Sequence, residues 1–261
     1  MTSTHVPYDR DSMTIDNYVR EHLTGHEALY DLDLERLRAA HPDVIVSQTL
    51  CDVCAVSTGD VLAAIHALPS RPVLVDLNPN TLNDVFDDIV RVGDHLGARD
   101  AAQRLVNDLR ARCDAVARRS AAVVERDRPR VAFLEWLMPP FNGGHWNPEL
   151  VELAGGIDVL GAPGQASSTL GWEDVVASRP DVLFIACCGF GIDRALEDVR
   201  EIGNTRAWRQ LPAVRNGRVY VADGNAYFSC PGPRLVDGLE IMAHALHPDI
   251  HPRRPGAAVV A

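Results

Sequence analysis

From Ala98 to Glu125 the chain runs without a proline or a glycine. Those two residues punctuate regular structure, so their absence predicts one helix roughly 40 Å long at ~1.5 Å per residue. It carries too many arginines and aspartates to be buried all round. A helix of that kind either packs along the outside of one lobe or acts as a strut between two. Strand–helix alternation resumes directly after it, which favours the strut. Just upstream, Thr81 is placed to cap a helix to about Leu96, with Leu82, Val85, Phe86, Ile89 and Val92 on one face. Gly93 and Gly97 weaken that helix. Residues 82–128 therefore read as a helical segment between an N-terminal α/β lobe (1–81) and a C-terminal α/β lobe (129–248), with a disordered, proline-rich tail (249–261).

In the first lobe, residues 1 to about 13 are polar and expected to be mobile. Helices are expected over Ile15–Leu23, Leu32–Ala40 and Thr58–Leu68, and buried strands over Asp43–Ser47 and Val73–Leu77. The strands open into a loop at 48–57, with Cys51 and Cys54, and a turn at Asn78-Pro79-Asn80. In the second lobe the strands are Arg130–Trp136, Asp181–Ala186 and Arg218–Ala222. Helices follow at 171–178, 193–202, 205–211 and 233–246, and a Gly/Ser-rich linker precedes the first of these.

The loop from Leu137 to Trp146 holds two prolines, two glycines and two aromatics, so no regular element is expected to cross it. Asn147-Pro148-Glu149 then starts a helix: Asn as N-cap, Pro in the first turn, Glu at the positive end. Gly155 and Gly156 end it. Trp136, Phe141, His145 and Trp146 give this loop a flat, amphipathic surface. Loops at the carboxyl ends of parallel strands are where open α/β sheets bind ligands. Five such loops (48–57, 77–81, 137–146, 187–191 and 223–232) are expected around one cleft between two lobes.

A weak internal repeat supports two lobes. Leu34–Val46 (LERLRAAHPDVIV) and Trp172–Ile185 (WEDVVASRPDVLFI) both read as helix, Pro-Asp-Val, buried strand, ligand-type loop. Each is followed by a helix and then by a strand opening on Arg71-Pro72-Val73 or Gly217-Arg218-Val219.

Charge and hydropathy exclude several classes. The net charge of −11 argues against a nucleic-acid partner, because phosphate binding needs clustered Lys and Arg. No run of about 18 apolar residues exists, so no membrane span is expected. The opening MTSTHVPYDRDSM has no apolar segment of a secretory leader. The sequence as written implies a cytoplasmic protein; a start further upstream would imply a periplasmic or cell-surface one.

The pattern E-W-x-x-P-P-F-x-G-G-H-W-x-P-E-L-V-x-x-A-G-G, Glu135 to Gly156, resembles the start of the C-terminal lobe of cobalamin- and ferric-siderophore-type solute-binding proteins of ABC importers. Tyr227–Glu240 (Y-F-x-x-P-G-P-R-L-V-D-G-L-E) resembles their last loop and helix. Asn80–Ile89 (N-T-L-x-D-V-F-D-D-I) resembles the helix entering their interlobe segment. The resemblance covers about residues 30–248. It implies two Rossmann-like α/β lobes with parallel sheets joined by a long rigid helix. It implies no catalysis, a small-molecule ligand (cobalamin or a related corrinoid or metal chelate) and an ABC-importer permease as partner. The ligand would lie between the lobes, against the loop of Trp136, Pro140, Phe141, Gly143, His145 and Trp146. Facing it would be the loops of Cys51–Cys54 and Asn78–Asn80, with Phe190, Tyr227 and Phe228 at the sides and Cys188 also at the ligand. Family members begin with a further strand–helix–strand unit and a leader, so the first lobe reads as shortened.

Cys51, Cys54, Cys187, Cys188 and Cys230 all fall in strand-end loops, and only Cys113 on a helix. Small apolar cysteines favour buried strand ends in general. A thiol-lined cleft is the alternative, and with it a cytoplasmic metal-handling or redox protein. One C-x-x-C does not indicate structural zinc. Gly189-Phe190-Gly191 is too short for a phosphate loop, and Ser167-Ser168 lacks the context of a hydrolase nucleophile. No catalytic set assembles.

Overall fold

A computed structural model describes residues 2–24, 29–48, 56 and 58–260. The chain divides into two compact units, residues 1–79 with 86–104 and residues 80–85 with 105–261. The helical segment expected between two lobes is thus shared between them.

The first unit starts with strand β1 (Thr2–Thr4), helix α1 (Ser12–Thr24) and strand β2 (Tyr30–Leu32). β1 pairs antiparallel with β2, Thr2 opposite Leu32. The expectation of a mobile N-terminus is corrected here. The main-chain ladder, extended by His5 N–H to the Leu29 carbonyl at 3.0 Å, orders a segment with no apolar side chain of its own. Helix α2 (Leu34–Ala40) is capped by Asp33, whose carboxylate accepts the Arg36 N–H. Strand β3 (Val44–Gln48), helix α3 (Thr58–His66) and strand β4 (Val73–Leu77) follow, with β3 and β4 parallel and Val44 opposite Val73. Leu37, Ala64 and Leu68 form a small core there, with Leu32 and Ile45 packed against it.

Helix α4 (Leu82–His95) ends at Gly97, whose φ of 66° is the left-handed conformation glycine adopts without strain. Gly93 sits inside α4 because a Cβ there would overlap the Ala102 side chain. Helix α5 (Arg99–Ser120) has 22 residues, hence ~33 Å, and stops short of the expected Glu125. It buries Ala102, Val106, Leu109, Cys113, Val116 and Ser120. Their spacing of four and three alternately makes one narrow stripe, which leaves its charged residues for the other faces.

The second unit continues with β5 (Arg130–Leu137), β6 (Pro140–Asn142), α6 (Asn147–Leu153), β7 (Ile157–Asp158), α7 (Trp172–Ala177) and β8 (Val182–Ile185). After these come α8 (Ile192–Ile202), α9 (Arg206–Gln210), α10 (Pro212–Arg215), β9 (Val219–Ala222), α11 (Gly224–Tyr227), α12 (Leu235–Leu246) and β10 (Ala257–Val260). The sheet order is β10-β9-β8-β5-β6, with β7 also on β5. β5, β8 and β9 are parallel, and β6 and β10 are antiparallel additions at the two edges. Phe133, Phe184 and Phe228 pack at centroid separations of 5.4 to 5.6 Å in the core, and all are fully buried. Each such ring contributes about 1.5–3 kcal/mol of burial.

Three expectations are corrected in this unit. The loop after β5 does contain a regular element, β6, because a turn at the cis Met138–Pro139 peptide reverses the chain onto β5. Pro140 is tolerated since β6 lies at an edge. Trp146, not Asn147, is the N-cap of α6, and Asn147 is already helical. Finally, the C-terminal tail is ordered. His251 is buried against Ser120, with Nε2 and Oγ 3.1 Å apart, and Arg254 pairs with Glu240 at 2.9 Å. β10 then pairs with the otherwise open edge of β9.

Candidate functional site

The carboxyl end of β5 and the chain that follows it form the candidate site. Trp136 and Phe141 stand opposite each other in the β5–β6 pair, so both rings lie on one face. Both are half-buried. The Trp136 indole donates to the Met138 carbonyl at 3.1 Å and rests on Phe190, centroid to centroid 4.9 Å. On Phe190 lies the guanidinium of Arg194, 4.4 Å from its centroid, which also pairs with Asp198 at 2.7 Å. Trp136 and Arg194 thus both contact the Phe190 ring.

Beyond β6 the backbone is fixed from three sides. Gly143 N–H donates to the Phe133 carbonyl at 3.0 Å, and Gly144 N–H to the Glu135 carboxylate at 3.1 Å. His145 N–H donates to the Gln165 carbonyl at 2.6 Å, and its own carbonyl accepts the Gly164 N–H at 2.9 Å. The carboxamide oxygen of Asn142 accepts both the N–H and the hydroxyl of Ser168, at 2.7 and 2.9 Å. Residues 164–170, which composition alone marks as a linker, are therefore laced along 140–145. A Cβ on Gly144 would overlap the Ser167 backbone, so this approach requires glycine.

Burial raises the Glu135 carboxyl above the ordinary carboxylate range, opposed by hydrogen bonds from Ser167, Gly144 and Asn147. His145 is half-buried at a φ of 55°, and its Nδ1 lies 3.4 Å from Oδ1 of Asn80. Burial holds its pKa below the ordinary 6.5, so the neutral imidazole is favoured.

The chain matches the family model of the periplasmic binding proteins over residues 4–226. It belongs to that family. Among its relatives, an uncharacterised ABC transporter substrate-binding lipoprotein of Bacillus subtilis is 23% identical over 226 residues, 84% of this chain and 66% of that protein. The vitamin B12-binding protein of Vibrio cholerae is 22% identical over 227 residues, 84% of this chain and 72% of the other. The solved structure of a periplasmic heme binding protein from Pseudomonas aeruginosa superposes with a TM-score of 0.70 at 21% identity, covering 88% of this chain and 81% of that one. The mixed α/β fold with parallel strands in both units is thus the fold of periplasmic binding proteins.

In this periplasmic binding protein, not every residue expected at the ligand is placed to meet one. Trp146 is 3% exposed and its indole donates to the Phe228 carbonyl at 2.9 Å, so it belongs to the core of the second unit. Phe228 is 0% exposed, in the core with Phe133 and Phe184. Both are corrections, with one cause: an aromatic next to a loop is drawn inward wherever the core has space for it. Phe190 is buried but carries Trp136. Pro140 and Gly143 are buried backbone positions beside Trp136, Phe141 and His145. Cys188 is half-buried and its N–H donates to the Glu135 carbonyl at 2.9 Å, joining the β8 loop to the end of β5. Tyr227 is half-buried and lies beside Gly256 of the tail, and Asn78 is exposed. Cys51 and Cys54 lie outside the described residues.

The thiol-based alternative finds no support. Desolvation pushes the Cys113 thiol up to about 11 and the buried Cys187 thiol higher still, away from the reactive or ligating thiolate. Among the described residues no group of three or more His, Cys, Asp or Glu is arranged to hold a metal ion. Sequence reasoning missed Glu135, Gln165 and Arg194. For Glu135 a signal was available: a carboxylate inside an otherwise apolar strand needs donors nearby.

Proposed function

We propose that this chain is the solute-binding component of an ABC importer, and that it recognises cobalamin or a related corrinoid or metal chelate. The face around Trp136, Phe141 and His145 is the binding surface in this reading. One observation carries it: a backbone pinned by hydrogen bonds at every residue from Asn142 to His145 lies beside a cross-strand pair of half-buried aromatics, Trp136 and Phe141, and a half-buried imidazole at the carboxyl end of a parallel strand. Such a surface suits a large, partly flat, metal-centred ligand. Relatives named for vitamin B12 and for heme support that class.

The reading includes no catalysis. It sets the protein to work at the outer side of the cytoplasmic membrane, handing its ligand to a permease through the acidic surface. No helix among the described residues is long and apolar enough to cross a membrane. Isothermal titration with cyanocobalamin, ferric porphyrin and a ferric siderophore tests the ligand class. At least one is expected to bind at submicromolar Kd. Trp136→Ala should weaken it about tenfold or more, roughly 1.4 kcal/mol or above. No binding by any of the three, or unchanged affinity in the variant, overturns the reading.

A further inference from the structure

We propose that Glu135 is a positioning residue of the binding surface: its carboxyl, held as the uncharged acid, locks the strap of residues 164–170 onto the loop after β5. A proton is then bound with the closed loop, and ligand affinity is tied to pH. The link to affinity rests on the proposed function above; the lock itself does not.

Glu135 sits where the β5–β6 register shifts, between Leu134 and Trp136. Its carboxyl accepts the Gly144 N–H of the loop at 3.1 Å and bonds to the Ser167 hydroxyl of the strap. Gly144 has no room for a Cβ against the Ser167 backbone, so the carboxyl joins the two segments where they approach most closely. The other bonds between them lie to either side. His145 N–H donates to the Gln165 carbonyl at 2.6 Å, Leu170 N–H to the Pro140 carbonyl at 2.8 Å, and Ser168 N–H to the Asn142 carboxamide at 2.7 Å. Those bonds are between amides and do not titrate near neutral pH. The Glu135 carboxyl does.

The surroundings favour the uncharged acid. The groups that face the carboxyl among the described residues carry no charge: Ser167 from the strap, Gly144 from the loop, Asn147 from the start of α6, and from the loop after β8 the Cys187 thiol, whose own pKa burial raises. Arg194 acts on Cys187 and pairs with Asp198. Burial with no cation opposite raises the pKa of a carboxyl. Asn147 supplies a second, geometric sign. Its side chain is 4% exposed, its Nδ2 lies 3.5 Å from the Glu135 carboxyl, and its Oδ1 is buried with no hydrogen-bond partner. Orphaned buried acceptors are rare in folded proteins. Exchanging the nitrogen and oxygen of that carboxamide leaves its shape unchanged and turns the acceptor toward Glu135. A protonated carboxyl then donates its O–H to Asn147 while still accepting from Gly144.

A carboxyl whose pKa is raised in the closed loop takes up a proton as the loop closes. Closure is favoured below that pKa and weakens as pH rises through it, by up to about tenfold per pH unit for one proton. The test is isothermal titration at pH 6, 7.5 and 9 with cyanocobalamin and with ferric protoporphyrin IX, together with amide hydrogen exchange of Gly144, His145 and Ser168 in the ligand-free chain. Glu135→Gln is uncharged at every pH. It should bind within about threefold of wild type at pH 6 and about tenfold or more tighter than wild type at pH 9. The ratio of the two affinities cancels whatever pH does to the ligand. Protection of the three amides in wild type, relative to Glu135→Gln, should fall over the same range. Glu135→Ala removes the bonds in either protonation state and should weaken binding by about tenfold at pH 6. An affinity ratio that stays constant from pH 6 to pH 9 overturns the role in binding, and constant relative protection overturns the lock. If neither macrocycle binds, the proposed function falls and amide exchange alone decides the lock.

Discussion

The α2–β3–α3–β4 stretch of the first unit and the α7–β8–α8–β9 stretch of the second share their corners and differ in their surroundings. His41 follows α2 at φ 43° and Arg179 follows α7 at φ 48°, each just before Pro-Asp and a parallel strand. Arg71 (φ 46°) and Gly217 (φ 64°) occupy the matching corner before the second strand. Even the turn bonds match: His41 N–H to Arg38 and Arg179 N–H to Val176, Arg71 N–H to Leu68 and Gly217 N–H to Val214. Yet every residue of β8 is buried, while β3 is half-exposed along its length and Val46 and Val73 are each 49% exposed. β8 has β5 on one side and β9 on the other, whereas β3 and β4 form a two-stranded sheet of their own among the described residues. A corner is set by a few residues in sequence. Burial is set by how many neighbours the strand acquires.

The largest effects should separate the two stretches. Phe184, at the centre of β8, touches Phe133 and Phe228 and is fully buried, so Phe184→Ala should cost about 3–5 kcal/mol. Val46→Ala in β3 should cost roughly 0.5 kcal/mol or less, as substitutions at open positions do. The measurement is available directly: all four tryptophans, at 136, 146, 172 and 208, belong to the second unit. Urea unfolding followed by tryptophan fluorescence should show a lower midpoint for Phe184→Ala, and amide hydrogen exchange in β3 and β4 should show little change for Val46→Ala. Equal shifts would mean that β3 is as deeply committed as β8.

Acid should act on the second unit with intermediate size. Burial lowers the pKa of His145, His247 and His251 below 6.5. Between each lowered value and 6.5 the unfolded chain binds more protons than the folded one, so stability rises with pH through that window. The contribution is present above pH 6.5 and is lost as pH falls below it. Unfolding midpoints should therefore drop from pH 7.5 to pH 5.5, and His251→Gln should flatten the profile. A pH-independent midpoint would show that these rings are solvated.

The same contrast explains what could be read from the amino-acid sequence. The proline- and glycine-free run gave α5, and dense apolar runs gave β4, β5, β8 and β9, because each carries its own periodicity or hydrophobicity. The repeat was visible because Pro-Asp after a helix is a local signal. β1, β6, β7 and β10 were not visible. Each is two to four residues long and exists through its partner's backbone, as when β10 closes the edge of β9. In the candidate site, Trp136, Phe141 and His145 stood out by residue type. That Trp146 turns inward, or that residues 164–170 bind the backbone of 140–145, depends on contacts between segments and leaves no pattern in either one.

The smallest effects should make the two stretches alike again. A Cβ on Gly217 would meet nothing within 4 Å, so Gly217→Ala tests the left-handed conformation without a steric term. It should destabilise by about 1 kcal/mol, since the strain of φ above zero outweighs the entropy lost from the unfolded chain. The converse changes, His41→Gly, Arg71→Gly and Arg179→Gly, relieve that strain while adding unfolded-state freedom, so each should stabilise by only about 0.5 kcal/mol. Amide hydrogen exchange in β3, β4, β8 and β9 reads the four corners separately. Gains of similar size at His41, Arg71 and Arg179 would establish that corner energetics are independent of how deeply the strand is buried. A gain confined to Arg179, whose strand is the fully buried one, would mean that burial sets the conformation of the corner as well as the packing of the strand.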